Sequence, residues 1–271
     1  MLTFFYGGTG TGKSYAMMDK IKQAAGNGRK VCVIVPDQFT FEYEHMLYNH
    51  LGCALFNKGN TEVWSFSRLA ADIFRCTKAP EGMGADSTVK TAVMHKVIRL
   101  MSEREGLLFF DKQAKRASFA NTALTMLSEL IHSGVTPEVL GEILKTAPDN
   151  MRDKLTDLFL IYSEYSSELA ALGMRDILLD ARLAADMAEQ NGYFNDMCLF
   201  MDEFKSFTGD QYNMIRVMLS QCAELTVCMT SDDIGKGGFG PFTAVNETCA
   251  GLSSIAAELG KKINKVKFDD N

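Results

Sequence analysis

The chain has no C-x-x-C pair among its seven cysteines, no histidines at metal-ligand spacing, and no apolar run near the roughly 20 residues that a membrane span needs. Cys32, Cys198 and Cys228 lie in apolar, strand-like runs, so these three and Cys53, Cys76, Cys222 and Cys249 read as reduced, mostly buried thiols. His45, His50, His95 and His132 are scattered and read as surface or satisfied core positions. No basic leader or cleavage site precedes the first strand-like run, so a cytoplasmic location is expected. Positive charge is scarce too: 28 Lys and Arg against 34 Asp and Glu give a formal charge of −6. That argues against a protein that coats nucleic acid by bulk positive charge, and leaves room for a local groove. With five prolines and 46% hydrophobic residues, 271 residues can bury a sizeable core in one or two domains. Neither an internal repeat nor a low-complexity tract occurs.

What is present begins at once. The stretch Gly7, Gly8, Thr9, Gly10, Thr11, Gly12, Lys13, Ser14 matches G-x-x-x-x-G-K-[ST] and follows the apolar run Leu2 to Tyr6. A strand entering a glycine-rich turn and leaving as a helix wraps polyphosphate with backbone N–H groups and a helix N-terminus. Glycines permit the turn's dihedrals and a close approach of backbone to phosphate. Lys13 is placed to reach the β- and γ-phosphates of a bound nucleotide, and the Ser14 hydroxyl to ligate Mg²⁺. A helix from about Lys13 to Ala25 supplies the context that the motif requires.

Gly26-Asn27-Gly28 ends that helix, and Val31 to Val35 reads as a buried strand closed by Pro36. A helix from about Phe39 to Leu51, a strand around Glu62 to Ser65 and a helix from about Arg68 to Phe74 follow. Alternation of this kind predicts a parallel sheet. Ala79 to Gly84 then looks like a linker, and only helical periods appear between about Ser87 and Gln190. Helices are expected from Ser87 or Thr88 to Arg104 and from Arg116 to His132. Another is opened by Thr136 and Pro137, and one capped by Asp149 runs through Leu172 before a last one from Asp176 to Glu189. Strand signal returns at Met197 to Met201, Leu225 to Met229 and Ile263 to Phe268, with helices from Asp210 to Gln221 and Phe242 to Leu259 and a loop over Ile234 to Gly240. The expectation is therefore an α/β domain over 1–78 and 192–271, split by an all-helical insert over 79–191.

Asp202-Glu203 ends an apolar strand, which is the second element a phosphate-loop site needs. Asp202 is expected to hold Mg²⁺ through water, and Glu203 to orient or deprotonate an attacking water. An acidic strand end facing solvent is the plain alternative. Ligands of parallel α/β sheets gather at the carboxyl ends of the strands, where Gln38, Thr40, Phe66, Arg68, Lys205 and Phe207 also fall. Aromatic faces stack on unpaired bases, Arg68 and Lys205 pair with phosphates, and Gln38 and Thr40 offer hydrogen bonds, which suits a single-strand groove. Aromatics at helix starts packing on the sheet are the competing reading.

The succession GGTGTGKS, VPDQFTFEYE, WSFSRLA, KRASFANTALTMLSELIHSG and LFMDEFKSFT resembles the N-terminal part of the AddB or RexB family, the B-type subunits of ATP-dependent helicase/deoxyribonucleases. The likeness covers essentially the whole chain, while members of the family are several times longer. It implies a RecA-like P-loop sheet with an all-helical insert, as in UvrD-like helicase domains 1A and 1B. It also implies ATP and Mg²⁺ as cofactors, with Gly7 to Ser14 as the nucleotide loop and Gln38, Thr40, Phe66, Arg68 and Phe207 along a DNA channel. A heterodimer with the A-type subunit of the helicase–nuclease would unwind and degrade double-stranded DNA ends in recombinational repair, scanning the single strand for a hotspot sequence. An iron–sulfur cluster and a nuclease are implied only for a full-length member, beyond Asn271.

Departures from active motors are visible. Lys205 stands where Asp-Glu-x-Gln has its glutamine, and Thr230 to Asp233 resembles Gly-Asp-x-x-Gln only in its acids. Six residues before the loop leave no room for an upstream adenine-reading glutamine, and a partner RecA-like domain with its arginines is absent. Nucleotide binding with little hydrolysis by this chain alone is the resulting expectation. Two other readings stand beside it: a P-loop small-molecule kinase with the insert as lid, and a scaffold with a vestigial nucleotide site. Arg99, Arg104, Arg116, Arg152, Arg175 and Arg182 of the insert are dispersed over helical runs, where they read more simply as solvated faces than as a phosphate lid.

Overall fold

The structure, a computed structural model, describes residues 1–56, 60–78, 80–104, 106–235 and 240–269. Ala79 of the expected linker and Lys236 to Phe239 of the expected loop lie outside the described residues. Among those described, the strands in chain order are β1 (Leu2–Gly7), β2 (Val31–Ile34), β3 (Thr61–Trp64), β4 (Met83–Ala85), β5 (Met174–Asp176), β6 (Cys198–Met201), β7 (Glu224–Thr230) and β8 (Ile263–Phe268). Contacts divide the chain into two compact units, Met1–Lys78 with Ala184–Asn271, and Ala79–Leu183.

The first unit is built on a six-stranded sheet in the order β3-β2-β6-β7-β1-β8, every neighbouring pair parallel. Strands covered on both faces have no reason to alternate with polar residues, and β2 (VCVI) and β6 (CLFM) are buried throughout. Alternate residues still serve different layers. Leu2, Phe4, Ile34, Leu199, Met201, Leu225 and Val227 face the helices Phe66–Cys76, Gly209–Gln221 and Thr243–Glu258. Phe5, Val33, Val35, Phe200 and Cys228 face the helices Lys13–Gly26 and Thr40–Leu51. The edge strand β8 (INKVKF) is partly exposed, and its lysines discourage pairing with another chain.

Because the strands run in parallel, their carboxyl ends share one edge. Gly7, Ile34, Trp64, Met201 and Thr230 all finish there, so segments far apart in sequence meet above the sheet. That edge positions the candidate site.

The second unit is helical, as its periodicity predicts, with one addition. Its helices are Ser87–Glu103, Asp111–Ala114, Phe119–His132, Pro137–Thr146 and Asp149–Ala171. Val93, Met94, Val97, Ile98 and Met101 form the buried stripe of the first, packed against Ala123, Leu127 and Ile131 and against Ile161, Tyr162, Tyr165 and Leu169. Thr136 caps its helix through the Val139 N–H. Pro148, not Asp149, holds the N-cap of the long helix, and Asp149 lies in the first turn, where its charge favours the helix dipole. The addition is a parallel ribbon of β4 and β5, registered Met83 on Met174 and Ala85 on Asp176, where a linker and a helix start were expected.

Two buried aspartates order this unit. Asp157 accepts the N–H groups of Leu108, Phe109 and Phe110 at 2.8–3.0 Å, and Asp176 receives Lys90, the Tyr165 hydroxyl and the Leu178 N–H. Arg175 pairs with Asp180 and Arg182 donates to the Gly134 carbonyl, all within the insert. The second junction between the units falls inside the helix Asp180–Asn191, at 183/184, earlier than the expected start of the returning domain at 192. Ala184, Ala185 and Ala188 of this helix join the core of the sheet.

Candidate functional site at the carboxyl edge of the sheet

The loop between β1 and the helix Lys13–Gly26 is shaped by its glycines. Gly10 and Gly12 have φ of 83° and 88°, a region that side-chain-bearing residues rarely enter. Gly7 is required by space, because a Cβ there would lie 2.1 Å from the Phe268 carbonyl oxygen of β8. The Gly7 carbonyl accepts the Ser231 N–H at 3.2 Å, which ties the loop to the end of β7. Gly12 opens the helix through its carbonyl, bonded to Ala16 N–H, and no side chain caps the first turn. An uncapped helix start presents N–H groups and a partial positive charge to anions.

Lys13 is 7% exposed and its ammonium folds over the loop, donating to the carbonyls of Gly7 at 3.1 Å and Gly8 at 2.5 Å. Thr11 donates to the Gly8 carbonyl at 3.0 Å, while Thr9 is exposed at the rim. The Ser14 hydroxyl donates 2.8 Å to Oδ2 of Asp202, which stands just past β6 and is 6% exposed. The motif at the start of the chain and the acid after the insert thus meet directly.

Asp202 has two further donors. Its Oδ1 accepts the Glu203 N–H at 2.8 Å, and its Oδ2 accepts the hydroxyl of Tyr43, from the helix Thr40–Leu51. Burial, followed by the Asp202 charge, pushes the Tyr43 phenol far above its ordinary value, so it stays a donor. Glu203 carries φ of 65°, one of two non-glycine residues with positive φ among those described. Such backbone is costly and concentrates at functional sites. Partial burial and then the Asp202 and Glu42 charges raise its carboxyl above the usual range, against the pull of Lys13 and Lys205.

Thr9, Gly10, Lys13, Ser14, Asp202 and Glu203 line a cleft of about 510 Å³, with Pro241, Phe242 and Val245 on an apolar wall that the sequence reading did not assign. Size and lining suit a small ligand with a charged end and an apolar body. Ser14 and Asp202 are hard oxygen donors side by side. That set fits Mg²⁺, which keeps several waters and takes one or two protein oxygens beside substrate phosphates. Among the described residues no cluster of three or more His, Cys, Asp and Glu suits a metal. Five cysteines are buried, while Cys53 and Cys76 are exposed.

A second, smaller groove of about 280 Å³ adjoins the first. Val35, Pro36, Gln38, Phe66 and Ser206 line it, and Glu203, Phe204 and Lys205 border both spaces. Phe66 meets Phe204 and Phe207 edge-on at 5.6 and 6.2 Å, and Phe207 meets Tyr212 at 5.6 Å. These rings pack on the sheet core and on each other while keeping part of their surface open. Arg68 is exposed and pairs with Glu44 at 3.3 Å. Thr40 is not brought to the groove. It is 4% exposed and its hydroxyl bonds the Asp37 carbonyl at 3.0 Å, closing its own turn.

Fold and site together define the class: a parallel α/β protein with a glycine-rich loop, a folded-over lysine and an acidic strand end in one cleft, and a helical unit inserted before the acid. Family comparison makes this specific. The family model described as ADDB, N-terminal matches residues 4–271, and the chain belongs to this family. It is similar to proteins named as the B-type subunit of ATP-dependent helicase/deoxyribonuclease. The one from Clostridioides difficile is 28% identical over 271 residues, and the one from Ruminiclostridium cellulolyticum 29% over 270, each match covering 97% of this chain and 23% of the relative. The Clostridium tetani protein of that name is 25% identical over 87% of this chain and 21% of its own length. The chain therefore spans less than a quarter of the curated relatives it matches. Among the described residues no helix is long and apolar enough to cross a membrane.

Proposed function

We propose that the chain is the helicase-like N-terminal region of one subunit of a heterodimeric ATP-dependent helicase–nuclease that processes double-stranded DNA ends for recombinational repair in the cytoplasm. In this reading the first unit is a RecA-like P-loop domain and the helical unit its insert, corresponding to domains 1A and 1B of UvrD-like helicases. Family membership supports the role, and one observation carries the site: the Ser14 to Asp202 hydrogen bond, in the cleft that Lys13 lines.

Gly7 to Ser14 would hold the nucleotide's phosphates, and Lys13, which donates to the Gly7 and Gly8 carbonyls, would supply its charge to phosphate oxygens. Mg²⁺ supplies charge neutralisation when bound, held by Ser14 and, through water, by Asp202. Glu203 is the residue placed to orient a water. Turnover by this chain alone is low, because Lys205 replaces the glutamine of active motors. Single-stranded DNA runs along the adjoining groove, which Gln38, Phe66 and Lys205 line, with Phe207, packed on Phe66, and the exposed Arg68 as contacts outside its lining and Lys205 between DNA and nucleotide. The A-type subunit is the partner, and hotspot scanning is the task of the assembled channel.

Equilibrium binding of a fluorescent ATP analogue tests the site. Mg²⁺-dependent binding that weakens at least tenfold on Lys13→Ala is expected. Equal binding by both proteins would remove the nucleotide reading. A steady hydrolysis rate of several per second, lost on Lys13→Ala, would overturn the assignment of low turnover.

A further inference from the structure

Asp202 is a buried carboxylate with three donors from three parts of the first unit: Ser14 on the loop helix, the Glu203 backbone, and Tyr43 on the helix Thr40–Leu51. Tyr43 is the least expected of them. Its ring is 3% exposed and seated among Val33, Val35, Leu47 and Phe200, so the hydroxyl has a fixed origin in the core. Ser14 and Tyr43 share the same carboxylate oxygen, Oδ2. A carboxylate oxygen offers about two lone-pair sites, so these two donors fill it. Lys13, in the same cleft, is the competing attraction for an Asp202 side chain free to turn.

We propose that Tyr43 is a positioning residue that holds the Asp202 carboxylate on the Ser14 side of the cleft and thereby sets the Mg²⁺ dependence of nucleotide binding. This rests on the nucleotide reading above and adds to it a residue outside both motifs. When Ser14 turns its oxygen toward a cation, Tyr43 retains its bond to Oδ2, so the carboxylate keeps its direction. Removing the hydroxyl leaves Oδ2 with Ser14 alone, so once Ser14 turns to a cation only the Glu203 N–H orients the carboxylate, and the oxygen pair is less firmly preset.

The test is a Mg²⁺ titration of fluorescent ATP-analogue binding to the chain and to Tyr43→Phe, with a parallel measurement in EDTA. Loss of a hydrogen bond to a charged group predicts a Mg²⁺ half-saturation raised about tenfold or more, with metal-free affinity within about twofold of wild type. An unchanged half-saturation, a lowered one, or an equal loss with and without Mg²⁺ would each overturn the proposal, the last because it reports a merely structural role. If Tyr43→Phe fails to fold by thermal melting, 3-fluorotyrosine at position 43 decides instead. Its stronger donor keeps the shape and lowers the half-saturation, and no change overturns the proposal. Absence of Mg²⁺-dependent binding in the wild-type chain is a different result, which removes the nucleotide reading and this inference with it.

Discussion

Ser14 and Asp202, 188 positions apart, are joined by a 2.8 Å hydrogen bond at the carboxyl edge of the sheet. The bond exists because β1 and β6 are parallel strands of one sheet with only β7 between them. Either side chain alone is an ordinary feature of a loop or a strand end. Together with Lys13 they line one cleft, the arrangement on which the proposed nucleotide and Mg²⁺ site rests.

Replacing Gly7 tests the fit of the loop. Gly7→Ala places a methyl 2.1 Å from the Phe268 carbonyl oxygen, so β8 or the loop must move. Overpacking of this kind costs about 1–3 kcal/mol, readable by chemical denaturation. A variant as stable as wild type would show that the close approach of β8 is not maintained.

The core prediction concerns Leu199, fully buried at the centre of β6. Leu199→Ala should lower unfolding free energy by about 2–5 kcal/mol, with the range set by how far the surrounding Leu225, Val217 and Met214 can close the cavity. Urea unfolding of the two proteins measures it.

The groove makes its own prediction. Arg68→Ala should weaken single-stranded DNA binding and reduce the slope of log affinity against log salt by about 0.7, the value for one fewer neutralised phosphate on a single strand. Fluorescence anisotropy over a salt series reads both quantities, and an unchanged slope would place Arg68 off the DNA path.

Acid stability should respond to Asp37. Hydrogen bonds from Ser65 and Ser67, the latter 2.7 Å from Oδ1, hold its carboxyl below the ordinary carboxylate value against partial burial. A depressed folded-state value means that the unfolded chain binds the proton more readily. The stabilising contribution is therefore complete above the ordinary range and is lost as pH falls through the lower, folded value. Ser67→Ala should leave a smaller stability difference between pH 6 and the acid limb than wild type, measured as Tm across pH.

The parts of this molecule that were readable in sequence are those written in contiguous residues. Gly7 to Ser14 is one loop, and Val31 to Val35 and Met197 to Met201 are apolar runs that only a sheet covered on both faces would bury. The ribbon of Met83–Ala85 and Met174–Asp176 escaped because three residues are too few for a period of two to register. The junction inside the helix Asp180–Asn191 escaped because a helix serving two units shows one continuous period. Tyr43 had no local signal at all, since its partner lies 159 positions away. Thr40 reads in sequence as a polar residue beside a site, and the sequence carries no sign that its hydroxyl closes the turn that starts the helix.

The strand order β3-β2-β6-β7-β1-β8 has a bearing on how the chain is made. Synthesis delivers β1 and β2 first, yet neither is the other's neighbour. The two places between them belong to β6 and β7, which emerge only after the whole helical insert. Until then β1 has no partner on either side, and β2 has only β3. Two apolar strands thus wait with open edges, the condition under which a growing chain is most exposed to pairing with another. The insert, with its own core, is complete before the sheet that brackets it in sequence can close, so translation orders assembly: the helical unit early, β6 and β7 with the acidic side of the candidate site after it, and the edge strand β8 last.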